Sequence, residues 1–354
     1  MNKHQAHDLK QMQSLPLEAK IIMSQQRIRQ WYDHWDGMVY VSFSGGKDST
    51  VLKHLVETTP GVYDVPSLFV NTGLEYPEIQ KFAMSQPNVV TVRPQMRFDD
   101  VLKKYGYPIV SKEVANTVRG AIHGGGSGKL KTTRLQRLRG ELLDKDGNKS
   151  RFNCDKWAFL IEAPFEVSDR CCDVMKKKPA KKYEKETGRK PIIGTMAAES
   201  RMRYQWWIRN GCNSFEGARA RSAPMSFWTE QDVLHYIKKF NLPLCSVYGD
   251  IRVKQIVDND KVFDGQINMI DYLECWDEED VLETTGCDRT GCIFCMFGCH
   301  LEKEPNRFQR LKETHPRQYN YCINGGEMVD GKWQPSKEGL GLGHVLDYIG
   351  VKYD

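Results

Sequence analysis

The sequence has no apolar run of the length that a membrane span requires, roughly 18 residues. Its first residues, from Met1 to Lys10, are polar and lack the apolar core of a signal peptide. The net charge of +5, from 51 basic and 46 acidic residues, is too small to indicate a polyanionic partner by itself. We therefore expect a cytoplasmic protein with no membrane partner.

The remaining composition is that of an ordinary globular protein. The 354 residues include 40% hydrophobic and 27% charged side chains, with 29 glycines and 15 prolines. At roughly 150 residues per domain, this length predicts about two domains, or one large domain with appendages. We expect a helical segment over residues 1–37, an α/β domain over 38–242 and a cysteine-rich region over 243–354.

Cysteine usage is the first unusual feature. A disulfide framework is not expected in a reducing compartment, and the chain has an odd number of cysteines, 11. Six of them cluster locally, which indicates metal or cluster ligation. They are Cys171, Cys172, Cys287, Cys292, Cys295 and Cys299.

Hydrophobic periodicity predicts alternating helices and strands. Apolar residues spaced three to four apart over 17–35 indicate an amphipathic helix, and short β-rich runs indicate buried strands at 38–43, 68–70, 89–92 and 191–194. Helices are expected at 77–85 and 98–105, between or after these strands, and near 307–314. Thr229 with Asp232 predicts a capping box at the start of a further apolar run. The alternation predicts an α/β fold with a parallel sheet flanked by helices.

A basic segment interrupts this pattern between Arg119 and Lys156. We interpret it as an insertion on the sheet, and its lysines and arginines predict contact with a nucleic-acid backbone. The alternative is a solvated surface with no such partner.

The loop Ser44–Ser49, called the glycine loop below, lies between a strand and a helix, where α/β sheets bind phosphates. Gly45 and Gly46 let the backbone approach an anion closely, and the helix N-terminus adds partial positive charge. Lys47 supplies a full positive charge.

The letters SGGKDS after a strand resemble the PP-loop of the adenine nucleotide alpha-hydrolase superfamily. Three further segments resemble motifs of its phosphoadenosine phosphosulfate (PAPS) reductase branch: NTGLEYPE at 71–78, GTMAAESRMR at 194–203 and PMSFWTEQDV at 224–233. The resemblance implies a Rossmann-like parallel sheet. Met196 departs from the pattern, because the family often has an arginine there.

The resemblance also implies roles for individual residues. Lys47, Asp48 and Glu75 would be catalytic, with Asp48 and Glu75 positioning Mg²⁺ beside ATP. The residues expected to bind the nucleotide are Ser44, Gly45, Gly46, Lys47, Asp48, Ser49, Thr72, Gly194, Ser200 and Arg203.

Paired cysteines followed by CxxC are similar to the 4Fe-4S arrangement of adenylyl-sulfate reductases in this branch. The resemblance implies the ligands Cys171, Cys172, Cys292 and Cys295. The residues alone leave open a compact set for a cluster or zinc, and also plain buried thiols. The compact set is Cys287, Cys292, Cys295 and Cys299.

Three functions fit these features. An intact SGGKDS goes with ATP pyrophosphatases in the resembling families, which favours ATP-dependent sulfur transfer, with sulfur from a donor such as a cysteine desulfurase. A thioredoxin-linked sulfonucleotide reductase is the second, although the sequence lacks the Glu-Cys-Gly-x-His nucleophile motif of that group and has Cys322 as its one late cysteine. The third is a non-catalytic nucleotide-binding or nucleic-acid-binding protein with a structural metal site.

Overall fold

The computed structural model describes residues 3–124, 128–217, 220–254 and 280–354. Within them, no helix is both long enough and apolar enough to cross a lipid bilayer. The chain forms two compact units. The first consists of Met1–Phe69, Tyr76–Thr91 and Tyr183–Thr290, and the second of Val70–Glu75, Val92–Lys182 and Gly291–Asp354.

The secondary-structure elements are numbered along the chain. The helices are α1 Ala6–Gln13, α2 Leu17–His34, α3 Lys47–Glu57, α4 Pro77–Ser85, α5 Phe98–Tyr105, α6 Lys112–His123, α7 Gly128–Arg139, α8 Lys178–Thr187, α9 Arg201–Asn210, α10 Glu230–Phe240, α11 Arg307–Thr314, α12 Pro316–Ile323 and α13 Leu342–Tyr348. The strands are β1 Val39–Phe43, β2 Ser67–Val70, β3 Val89–Val92, β4 Ile109–Val110, β5 Lys190–Ile193, β6 Asn213–Ser214, β7 Arg221–Ser222, β8 Ile251–Val253, β9 Leu282–Thr284, β10 Met296–Phe297, β11 Glu327–Val329 and β12 Lys332–Gln334.

A mostly parallel sheet organises the first unit. Its strand order among the described residues is β3-β2-β1-β5-β7-β6, and β1 pairs in parallel with both β2 and β5. In strand β1, Val39, Val41 and Phe43 share one face and are at most 2% exposed; on the other face Tyr40 is buried and Ser42 is exposed. The parallel pairing places the carboxyl ends of β1 and β5 at the same edge of the sheet.

Helices α2 and α10 pack in the same unit and share a buried ion pair. Helix α2 buries Ile28 and Trp31 completely, as its apolar spacing predicts. The Lys20 ammonium lies 2.7 Å from an Asp232 carboxylate oxygen, and both residues are buried. The Thr229 hydroxyl accepts the amide hydrogen of Asp232, so the predicted capping box begins α10.

The second unit contains smaller elements around its own apolar residues. Strands β4 and β10 pair in parallel, and β11 and β12 form an antiparallel hairpin. The Tyr107 hydroxyl donates to the Leu340 carbonyl at 3.0 Å, which satisfies a buried phenol. Fully buried residues of this unit include Ile109, Val118, Leu160, Phe165, Met296, Phe308 and Leu342.

The structure confirms the predicted fold class and the predicted sheet strands to within one residue at each end. The basic segment is partly helical, because α6 continues to His123 and α7 covers Gly128–Arg139. Residues 125–127 of its glycine-rich stretch lie outside the described residues. The division at residues 37 and 242 remains a prediction.

Candidate functional site

The glycine loop follows β1 directly and leads into α3, which begins at Lys47. Gly45 has a φ of +75°, and a Cβ there would lie 3.1 Å from the Ile79 carbonyl oxygen. A larger residue would be strained in its backbone and crowded against Ile79, so this turn requires glycine.

Side chains of the same unit bind the amides of the loop. The Ser44 amide donates to Ser49 Oγ at 3.1 Å, and the Lys47 amide donates to the Tyr248 hydroxyl at 3.2 Å. The first-turn amides of α3 have no partner within the helix and carry the positive end of its dipole. The loop therefore presents an electropositive end of the helix at the edge of the sheet.

Lys47 is 3% exposed and lies at the centre of this region. Its ammonium is 2.8 Å from Glu230 Oε1 and also donates to the Asp288 carbonyl oxygen. A buried ammonium needs such partners, because an uncompensated charge in the protein interior costs several kcal/mol. The side chain is thus held with its charge at the glycine loop.

Asp48, the residue after Lys47, supplies a carboxylate. Its buried Oδ1 atom has no hydrogen-bond partner among the described residues. Burial raises the pKa of Asp48 above its ordinary value, and the charges of Lys47 and Arg289 oppose that shift. An unpartnered, buried carboxylate oxygen is the donor type that Mg²⁺ prefers.

The segment after β5 meets the glycine loop through Gly194. A Cβ at Gly194 would lie 3.2 Å from the Asp48 carbonyl oxygen, so glycine permits this approach. Further along, the Ser200 hydroxyl accepts the Arg203 amide hydrogen and caps α9. The Arg203 guanidinium pairs with Glu199, whose other oxygen lies 2.8 Å from Arg289.

Thr72 and Glu75 belong to the second unit and bind each other. The Glu75 carboxylate accepts the Thr72 amide hydrogen at 3.0 Å and the Thr72 hydroxyl at 2.7 Å. The roles expected for them at a nucleotide remain predictions.

The cysteines implied by the family resemblance lie together in the second unit. A hydrogen bond to Cys172 and burial raise the pKa of Cys171, and Cys292 and Cys295 add to this shift. The same hydrogen bond lowers the pKa of Cys172. Burial raises the pKa of Cys292 to about 11. Because each thiol senses the charge of others, the four form one electrostatic group.

A partly buried lysine accompanies these thiols. Burial alone would lower the pKa of Lys176, but Cys292 and Glu75 raise it above its ordinary value. The ammonium therefore offsets negative charge that thiolates would bring into this interior.

Within the described residues, no group of three or more His, Cys, Asp and Glu side chains is placed so that it could hold a metal ion. The donor chemistry nevertheless fits a cluster, because four neighbouring thiols are the ligand set that 4Fe-4S clusters take.

Cys299 behaves differently: its thiol donates to the Met296 carbonyl at 3.0 Å, and burial raises its pKa to about 12. Cys287 belongs to the first unit, where its amide donates to the Val247 carbonyl.

Several residues around the glycine loop were not predicted from the sequence. Glu230 lies in the motif at 224–233 but was given no role, no local motif marks Tyr248, and Arg289 carries no signal beyond its place before the CxxC pair. They reach the loop only through folding.

The family model of the phosphoadenosine phosphosulfate reductase domain matches the sequence at residues 38–108 and 142–296, well over half of the chain. The chain belongs to the phosphoadenosine phosphosulfate reductase domain family. The match omits residues 109–141, which include much of the basic segment and all of α7.

Two individual proteins are similar to this chain of the PAPS reductase family, each to a different extent. Sulfate adenylyltransferase subunit 2 of Agrobacterium fabrum is 27% identical over 217 residues, which cover 58% of this chain and 56% of that protein. The match therefore spans little more than half the length of that relative. A crystal structure of phosphoadenylyl-sulfate (PAPS) reductase from Candida auris, in a phosphate complex, aligns with a TM-score of 0.35 at 14% identity, covering 69% of this chain and 91% of that one.

The burial of Asp48 predicts that the free energy of unfolding depends on pH. Because its pKa is raised in the folded protein from an ordinary value of 3.8, its burial costs stability once the pH rises above that value. We expect Asp48→Asn, without added nucleotide, to be more stable than the wild type in urea unfolding at pH 7, with a gain that shrinks toward pH 4. The control is Asp64→Asn, which changes an exposed aspartate of the same unit. A less stable Asp48→Asn at pH 7 would contradict the prediction.

Proposed function

We propose that this PAPS reductase family protein is an ATP-dependent sulfurtransferase that forms AMP and pyrophosphate. One observation carries the proposal: a buried, ion-paired Lys47 at the N-terminus of α3, beside an Asp48 oxygen that has no hydrogen-bond partner in the described part of the chain. This combination suits a polyphosphate with its magnesium ion. The name of the curated relative, a sulfate adenylyltransferase subunit, supports adenylyl chemistry.

In the first step, an oxygen of the acceptor attacks the α-phosphorus of ATP. The bond between the α-phosphorus and the bridging oxygen breaks, and pyrophosphate leaves with that electron pair. Lys47 and the amides of the glycine loop stabilise the charge that develops on the phosphates. Asp48 would hold Mg²⁺, which neutralises phosphate charge.

In the second step, a sulfur nucleophile attacks the activated carbon of the acceptor, and the carbon–oxygen bond to AMP breaks. Cys171, Cys172, Cys292 and Cys295 would hold a 4Fe-4S cluster. That cluster, when bound, supplies sulfur or electrons. Lys176, next to these thiols, balances their negative charge. A cysteine desulfurase would be the sulfur donor: the terminal sulfur of its persulfide attacks the acceptor carbon, and a reducing thiol then breaks the S–S bond and leaves one sulfur on the acceptor.

We propose nucleic acid as the acceptor, bound by the basic segment of the second unit. Lys149 and Arg151 are exposed, and Phe152 is 46% exposed. The Arg151 guanidinium lies 4.9 Å from the centroid of the Phe152 ring. An exposed ring beside cations is suited to stack a base while the cations contact phosphates.

A sulfonucleotide reductase is the second candidate, because membership of the family favours it. That reaction needs a thiolate nucleophile and thioredoxin. Cys322 is fully buried in α12, and burial raises its pKa well above the ordinary value. A thiol in this state is a poor nucleophile, which favours the sulfurtransferase.

Lys47→Ala should lower ATP-dependent pyrophosphate release at least about a hundredfold, because it removes the charge that faces the phosphates. The assay measures pyrophosphate from ATP with anaerobically purified protein. Lys53→Ala is the control, because Lys53 is a buried lysine of the same helix that pairs with Glu57. Unchanged turnover in Lys47→Ala would refute the assignment of the loop. Sulfite production from PAPS with thioredoxin would identify the reductase, and nucleotide binding without turnover would identify the non-catalytic protein.

Two cysteine variants separate the candidate ligand sets. Cys172→Ser should lose most of the iron and acid-labile sulfide of anaerobically purified protein, because it removes one of four ligands. Cys299→Ser should keep both, since its thiol bonds to a backbone carbonyl. The reverse result would favour the compact set, and a colourless wild type containing zinc would reject the cluster.

Reversing the charge of the basic segment should weaken binding of nucleic acid. We expect Lys149→Glu/Arg151→Glu to bind a fluorescent single-stranded oligonucleotide more weakly, with a salt slope smaller by about one per lost phosphate contact. The control, Lys103→Glu/Lys104→Glu, makes the same change of net charge at exposed residues of α5. Equal affinities of the two variants would refute this surface.

A further inference from the structure

The glycine-loop region lacks one charge that the family resemblance leads us to expect. Position 196, where the family often has an arginine, is a methionine that is 3% exposed. Its thioether cannot bind a phosphate or sulfate group as a guanidinium does. An anion site at this edge of the sheet therefore needs its charge from elsewhere in the chain.

Arg289 brings a guanidinium to the same carboxylate that holds Arg203. Glu199 is 11% exposed at its side chain, and its Oε1 lies 2.8 Å from Arg289 Nη2. Its other oxygen contacts Arg203. The Arg289 side chain is 59% exposed, and one carboxylate oxygen uses only part of its five N–H donors. Donors therefore remain for a ligand.

The residues on either side of Arg289 connect it to the glycine loop. The Asp288 carbonyl accepts a hydrogen bond from the Lys47 ammonium. The Thr290 hydroxyl lies 2.7 Å from the Tyr248 hydroxyl, which accepts the Lys47 amide hydrogen. Because both neighbours reach Lys47 or its partner, the backbone of Arg289 is held beside the loop.

We propose that Arg289 is a second arginine of the anion site and binds tetrahedral phosphate or sulfate groups of the nucleotide together with Lys47 and Arg203. It supplies the charge that position 196 lacks. This inference rests on the proposed function, because it deepens the description of the same nucleotide site.

The test compares Arg289→Ala with the wild type by calorimetric titration with ATP, PAPS and adenosine. Loss of a charge-assisted contact should weaken binding of the phosphorylated ligand at least about tenfold. Adenosine, which has no phosphate, should bind both proteins equally. If Arg289→Ala loses more affinity for ATP than for PAPS, the contact is to the polyphosphate. If it loses more affinity for PAPS, the contact is to the phosphosulfate or the 3′-phosphate.

Two further variants control for charge and shape. Arg252→Ala removes an exposed arginine of the same unit that is paired with Glu283 at 2.9 Å, and it should leave ATP affinity unchanged. Arg289→Lys keeps the charge without the planar fork and should restore part of the affinity.

The outcomes distinguish this inference from the proposed function. If Arg289→Ala binds ATP and PAPS within twofold of the wild type while Lys47→Ala binds them weakly, the role of Arg289 is refuted and the proposed function stands. Equal weakening for adenosine and ATP also overturns it, because the residue would then be structural. A wild type that binds neither ATP nor PAPS overturns the proposed function and this inference together.

Discussion

Burial of the Lys47 ammonium constrains the site of the first unit more than any other interaction. A charge that is 3% exposed must be paired, so Glu230 and the Asp288 carbonyl are held against the start of α3. That requirement joins α10, the segment after β9 and the glycine loop. Charge balance thus dictates which parts of the chain meet at this edge of the sheet.

In the second unit, the charge that needs to be balanced would come from thiols. Four neighbouring thiols raise or lower one another's pKa, and the partly buried ammonium of Lys176 offsets their potential charge. The role of these thiols as cluster ligands stays a proposal. Only Thr290 and Gly291 separate Arg289 of the first unit from Cys292 of the second.

Local signals predicted the secondary structure well where the periodicity was strong. Helix α11 has its predicted bounds, and the capping box at Thr229 begins α10, because caps and apolar spacing act within a few residues. The site was predicted less completely. Thr72 and Glu75 are each other's hydrogen-bond partners, and their role at a nucleotide stays a prediction; Tyr248, which accepts the Lys47 amide hydrogen, was not anticipated.

The sequence by itself determined the strand, glycine turn and helix around Lys47, and the local clustering of cysteines. Both follow from residue chemistry and from patterns a few residues long. Only the tertiary structure decided that Glu199, four residues from Arg203, also binds Arg289, and that Glu230 pairs with Lys47. These last two pairings join segments distant along the chain, and no local pattern encodes which distant cation a carboxylate will neutralise.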